Sequence, residues 1–184
     1  MTRPAAVFLD RDGVLNEPIV RDGKPYPPAS VDELVIVAGA RAALDRLKAA
    51  GYRLIVVTNQ PDVARGAQRR EVVEAINAAL VAALPLDEVR VCYHDDRAAC
   101  ECRKPAPGLL LQAPTHDLPH SVMVGDRWRD VEAGARAGVG ASVLIDRGYR
   151  EGITVEPDVR VGSLTEAADW ILGRGMEDAR RQRA

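Results

Sequence analysis

Ala5-Ala-Val-Phe-Leu-Asp-Arg-Asp-Gly-Val-Leu-Asn16 decides how the rest of the chain is read. Five apolar residues run straight into Asp10, Asp12 and Gly13. A run this apolar suits a strand covered on both faces, so Ala5–Asp10 is expected to be a central strand. Its abrupt end puts two carboxylates and a turn-forming glycine at one edge of a sheet.

Working outward, apolar runs rich in β-branched residues predict further strands at Arg53–Thr58, Val89–Tyr93, Ser121–Gly125 and Ala141–Asp146. Amphipathic stretches between and after them predict helices at Gly39–Ala50, Arg69–Leu84, Gly108–Ala113, Arg127–Ala137 and Leu164–Leu172. This alternation is the pattern of an α/β fold with a parallel central sheet. Two stretches break it. Asn16–Glu33 holds Pro18, Pro25, Pro27 and Pro28, which exclude a continuous helix and predict a loop or short hairpin over one sheet end. His94–Pro107 is the other, and neither is long enough for a large cap domain. One domain is expected over residues 1–173, with 174–184 a frayed, arginine-rich tail.

Composition narrows the function. Of 184 residues, 25 are basic and 27 acidic, a net charge of −2 that disfavours nucleic acid as main partner. With 47% apolar and 28% charged residues, the chain reads as globular rather than disordered. No apolar run approaches the ~20 residues of a membrane span, and the first one stops at Asp10, too soon for a signal-peptide core. Three cysteines and no export signal point to the reducing cytoplasm.

In open parallel sheets, ligands bind beyond the carboxyl ends of the strands. Here those ends carry Asp10 and Asp12, Thr58-Asn59-Gln60, and Gly125-Asp126, with Lys104 just past the third strand. Asp10 and Asp126 would make a hard oxygen site suited to Mg²⁺. Thr58, Asn59 and Lys104 offer donors and positive charge to phosphate oxygens. An aspartate can attack phosphorus to form an aspartyl-phosphate. A second one two residues on can protonate the leaving oxygen and later activate water. Any single strand end carrying Asp or Asn is ordinary; the whole set is not.

The stretches Phe8-Leu-Asp-Arg-Asp-Gly-Val-Leu-Asn16, Val57-Thr-Asn-Gln60, Cys102-Arg-Lys-Pro105 and Val124-Gly-Asp126 resemble the four motifs of the haloacid dehalogenase superfamily. The similarity runs from about Val7 to about Ile145. It is strongest to the superfamily's small phosphatases acting on heptose 1,7-bisphosphate or histidinol phosphate. The resemblance implies a three-layer Rossmannoid α/β/α fold without a large cap. It also implies Asp10 as nucleophile and Asp12 as general acid/base, with Mg²⁺ on Asp10, Asp126 and the backbone carbonyl of Asp12. Thr58 and Lys104 would bind the transferring phosphate, and Asn59 would help position substrate. Two departures stand out: Pro61-Asp62 replaces the usual Ser-Gly, and Arg127 replaces a common lysine. Heptose 1,7-bisphosphate is the expected substrate, feeding nucleotide-sugar synthesis, with histidinol phosphate or another sugar phosphate the alternative. The chain is expected to act as a monomer on a small phosphorylated metabolite, with neither nucleic acid nor membrane as partner.

All three cysteines fall in Cys92-Tyr-His94 and Cys100-Glu-Cys102. One histidine and three thiols fill a tetrahedral site, which marks a structural Zn²⁺ rather than a catalytic one. Many members of the resembled subgroup carry such a zinc loop before Arg-Lys-Pro. The ion would fix Arg103 and Lys104 toward the phosphate, with Arg103 free to meet a second phosphate or carboxylate. His116 and His120 are expected to be ordinary surface or helix-end histidines, and Trp128 and Trp170 packing residues. A non-catalytic, zinc-stabilised binding module is the rival from another class; the intact aspartates speak against it.

Overall fold

The computed structural model describes residues 3–21, 24–112, 116–149, 152 and 154–173. The expected tail at 174–184 and the last residue of the helix expected over Gly108–Ala113 lie outside the described residues. The strands are β1 (Ala6–Leu9), β2 (Ile19–Arg21), β3 (Lys24–Tyr26), β4 (Arg53–Asn59), β5 (Glu88–Cys92), β6 (Val122–Gly125), β7 (Ala141–Ile145) and β8 (Val159–Val161). The helices are α1 (Ala40–Ala49), α2 (Arg70–Ala83), α3 (Gly108–Leu111), α4 (Trp128–Ala137) and α5 (Leu164–Leu172).

Strand β1 has no solvent exposure, because both its faces are covered. The two-residue period of a strand sends Val7 and Leu9 to one core and Ala6 and Phe8 to the other. On the first face lie Leu44 and Leu47 of α1, Ile76 and Leu80 of α2, and Ala168 and Ile171 of α5. On the second lie Leu109 and Leu110 of α3 with Ala133 and Ala137 of α4. The result is a three-layer α/β/α arrangement. Among the described residues no inserted domain caps it, and no helix is long and apolar enough to cross a membrane.

Six strands pair in the order β5-β4-β1-β6-β7-β8, all parallel. The chain moves outward from β1 through β4 to β5, then returns to β6 on the other side of β1. That reversal opens a crevice at the carboxyl ends of β1 and β6, where Asp10 and Asp126 follow their strands. The proline-rich stretch forms the antiparallel β2–β3 hairpin, one of the two forms expected of it. β8 was not anticipated: its three residues carry only half-buried valines, too short a pattern to read. His116 also departs from expectation. It is 9% exposed and meets the Phe8 ring edge-on at 6.1 Å, so it belongs to the interior rather than the surface.

Candidate active site

The turn after β1 is built from its own backbone. The Arg11 carbonyl accepts from the amides of Val14, Leu15 and Asn16, and the Asp10 amide donates to Val124 O across the crevice. Gly13 sits at φ +86°, and a Cβ there would lie 1.9 Å from Asp126 Oδ2. Only glycine lets the β1 turn and the β6 end approach this closely. From β7's far end, Arg147 donates to Gly13 O at 2.7 and 3.0 Å and pairs with Glu17 at 2.9 Å, tying the turn down.

Beyond that turn, Lys104 Nζ donates to Asp10 Oδ1 at 2.8 Å and to Asp130 Oδ1 at 2.5 Å. Lys104 is 2% exposed and Asp130 2%. Asp10, Asp126 and Asp130 bring carboxylate oxygens within 4.8 Å of one another. Burial pushes Asp10 up to about 6, with Asp130 and Asp12 adding to the rise against the pull of Lys104. Burial, then Asp10 and Asp130, drives Asp126 well above the carboxylate range. Lys104 goes the other way: burial alone would lower it, but Asp10 and Asp130 hold the ammonium above its usual value. Lys104 thus bridges Asp10 and Asp130, and the buried Asp126 Oδ1 has no hydrogen-bond partner. An orphaned carboxyl oxygen in a crowded acidic site is what a hard divalent cation satisfies.

The cleft holds about 650 Å³ and is lined by Asp10, Asp12, Thr58, Asn59, Arg103, Lys104 and Asp126, among others. Pro18, just before β2, and Pro25 and Tyr26 of β3 contribute to its wall. At the rim, Asp96 gathers arginines: Arg103 at 2.7 Å, Arg65 at 2.7 Å and Arg129 at 3.9 Å. The hydrogen bond from Arg103, followed by the charges of Arg103, Arg129 and Arg65, holds the Asp96 carboxyl below its ordinary range. Asp62 pairs with Arg65 at 3.2 Å, so its charge faces a guanidinium.

Comparison with known proteins places this geometry. The haloacid dehalogenase-like hydrolase family matches residues 20–138. The chain belongs to the haloacid dehalogenase-like hydrolases. It is 36% identical to the D-glycero-beta-D-manno-heptose-1,7-bisphosphate 7-phosphatase of Salmonella typhi, over 91% of this chain and 89% of that protein. A D,D-heptose 1,7-bisphosphate phosphatase from B. bronchiseptica, solved with magnesium and phosphate, superposes with a TM-score of 0.78 at 30% identity, covering 91% of this chain and 98% of that one. An HAD-like phosphatase fold from Mesorhizobium loti gives 0.75 at 28% identity, covering 96% and 88%.

In this hydrolase the residues expected to meet phosphate and Mg²⁺ all border one cleft, yet their partners differ in detail. The Asn59 carboxamide is engaged with the backbone of Lys104, donating to its carbonyl at 3.0 Å and accepting from its amide at 3.1 Å. It therefore orients the lysine. Thr58 Oγ1 accepts from Gln60 Nε2 at 2.9 Å, and the same nitrogen donates to Asp12 at 2.8 Å. Asp130 was missed. Its available mark was a place four residues after Asp126, in the first turn of α4, where its Oδ2 accepts the Arg127 amide at 3.1 Å.

The hydrolase's second cluster lies beside the cleft. Cys92, His94, Cys100 and Cys102 bring their ligand atoms within 4.8 Å of one another. Cys92 Sγ is 3.0 Å from Cys102 Sγ, 3.9 Å from Cys100 Sγ and 3.5 Å from His94 Nδ1. A tetrahedral ion with metal–sulfur bonds of about 2.3 Å sets its sulfurs about 3.8 Å apart, which the Cys92–Cys100 pair matches while the Cys92–Cys102 pair is tighter. Burial and the neighbouring thiols push the Cys92 thiol up. Burial also acts against the Cys100 thiolate, but the amides of Arg103 and Cys102 bring that thiol down. Arg103 follows the cluster directly, and its guanidinium also donates to His94 O at 3.3 Å.

Proposed function

We propose that this hydrolase is a Mg²⁺-dependent phosphomonoesterase that removes the C7 phosphate of D-glycero-D-manno-heptose 1,7-bisphosphate. The observation that carries the reading is the convergence of Asp10, Asp126, Asp130 and Lys104 around an orphaned carboxylate oxygen. The relatives named for that reaction, which match nine-tenths of the chain, support the substrate.

In this reading Asp10, Asp126 and the Asp12 carbonyl hold Mg²⁺, with Asp130 close by. The ion, when bound, neutralises charge on the phosphate and relieves the repulsion among the carboxylates. Asp10 attacks phosphorus in line, forming the aspartyl-phosphate as the P–O bond to the sugar breaks. Lys104 and Thr58 bind the equatorial oxygens, and Asn59 keeps Lys104 on them. Asp12 gives a proton to the departing alkoxide, then takes one from the water that cleaves the acyl phosphate. Arg103, with Arg65 and Arg129 beside it, receives the second phosphate. These guanidinium groups disfavour histidinol phosphate, which carries a cationic amine and no second phosphate. Cys92, His94, Cys100 and Cys102 hold a structural Zn²⁺, a donor set too soft for Mg²⁺. The domain spans residues 1–173 and works as a cytoplasmic monomer.

Asp10→Asn keeps the shape of the side chain and removes the nucleophile. Phosphate release from the bisphosphate, followed by malachite green under excess Mg²⁺, should fall by at least about 10³-fold with the fold, read by far-UV circular dichroism, unchanged. Turnover at the wild-type rate would remove Asp10 from the role and with it the mechanism.

A further inference from the structure

Arg11 is the largest side chain with no solvent exposure, in a position between the two motif aspartates. A buried guanidinium is costly unless each of its faces finds a partner. Its Nε and Nη2 each donate to both oxygens of the Asp12 carboxylate at 3.0–3.3 Å, and its Nη1 donates to Asn77 Oδ1 at 2.9 Å. Asn77 is itself anomalous. It lies 8% exposed on the core face of α2, in register with Val73, Ile76 and Leu80, where an apolar residue would pack without needing a partner. Asn77 has no place among the groups lining the cleft.

From this we propose that Asn77, acting through Arg11, is a positioning residue for proton transfer by Asp12. The inference rests on the reading of Asp12 as acid and base. Asp12 reaches the cleft with 21% of its side chain exposed. It needs one orientation toward the leaving oxygen and toward the water that follows. A lone carboxylate at a turn rotates freely about χ2. Nε and Nη2 each reach both oxygens, so four contacts tie the carboxylate to the guanidinium and remove that freedom. The guanidinium would turn about its own stem if Nη1 were free, and Asn77, 66 residues away on a rigid helix, stops it. Asn16 and Gln60 donate to the outer lobes of the same carboxylate, at 3.0 and 2.8 Å. They complete the cradle with uncharged donors, one to each oxygen.

Leaving-group dependence separates positioning from mere structural support. An alkyl phosphate needs a proton on its leaving oxygen; p-nitrophenyl phosphate departs as a phenolate without one. The value of kcat/KM covers steps up to leaving-group departure, so the ratio of alkyl to aryl kcat/KM reads the acid alone. Asn77→Leu, close in size but without the acceptor, should lower that ratio about tenfold, part of the 10²–10⁴-fold that a positioned acid supplies. Asn77→Asp keeps the acceptor and should keep the ratio within about twofold of wild type. If Asn77→Leu does not fold, Asn77→Ser, whose hydroxyl falls short of Nη1, is read in its place. Equal losses on both substrates, leaving the ratio unchanged, would overturn the positioning role. Asp12→Asn is the reference: a ratio unmoved in that variant would instead overturn the assignment of Asp12, on which the inference rests.

Discussion

Replacing Gly13 by alanine tests whether the two halves of the site depend on the close approach of the β1 turn to the end of β6. The new methyl would start 1.9 Å from Asp126 Oδ2 and 2.6 Å from its Cγ. Cβ atoms essentially never sit within 3.0 Å of another heavy atom, so the carboxylate and the turn must separate by at least about 1.1 Å. Magnesium ligands sit at 2.0–2.1 Å with little tolerance, so a shift of that size takes Asp126 out of reach. Mg²⁺ affinity should therefore weaken at least about 100-fold, or about 2.8 kcal/mol. The φ of +86° adds its own cost, about 1–2 kcal/mol for any L-residue, felt as a loss of stability even without metal. Gly51→Ala supplies the control: its φ is +91°, but its Cβ would meet nothing within 4 Å. Both variants should lose about 2–8 °C of Tm in chelator. Only Gly13→Ala should lose Mg²⁺ affinity, measured by calorimetric titration. Wild-type affinity in Gly13→Ala would refute the placement of Asp126 on the ion.

The raised carboxylates make metal binding sensitive to pH. Asp10 is pushed up to about 6 by burial, above its ordinary 3.8, so metal-free folded protein holds a proton there that the unfolded chain has lost. Its contribution to stability consequently falls as pH rises from about 4 to about 6, by about 3 kcal/mol, and Mg²⁺ restores it by pairing with the charged form. The Mg²⁺-induced gain in Tm should grow across that window, and Asp126, also raised by burial and its acidic neighbours, adds to the growth. Asp87, Glu88 and Asp96, held below their ordinary values, act equally with and without the ion and cancel in the difference. A gain that is flat from pH 4 to 7 would contradict the acidic cluster as the binding site. For the thiol cluster, Cys100→Ser should lower zinc stoichiometry by atomic absorption and Tm together; unaltered metal content would remove Cys100 from that site.

What could be read from residues alone were features with a short range in the chain. Strands β1, β4, β6 and β7 announce themselves as apolar runs because burial on both faces leaves no polar position to confuse the pattern. The pair Asp10 and Asp12, and the cysteines within one eleven-residue stretch, are neighbours by sequence before they are neighbours in space. Their chemistry follows from residue type and spacing, and the strand ends that carry Thr58 and Asp126 follow from where each apolar run stops.

Other features exist only once the chain is packed. Asp130 joins the acidic cluster because α4 starts directly beneath the end of β6, and Lys104 lies between Asp10 and Asp130 although 94 and 26 residues separate it from them. Arg65 reaches Asp96, 31 residues along the chain, at the rim of the cleft. The Arg11–Asn77 contact joins a turn to a helix that no local pattern links, and the strand order around β1 decides which loops share the crevice. Local propensity and periodicity act over a few residues and are written into the chain. Pairings across tens of residues are chosen by the burial of whole helix and sheet faces, and that choice is made only by the assembled core.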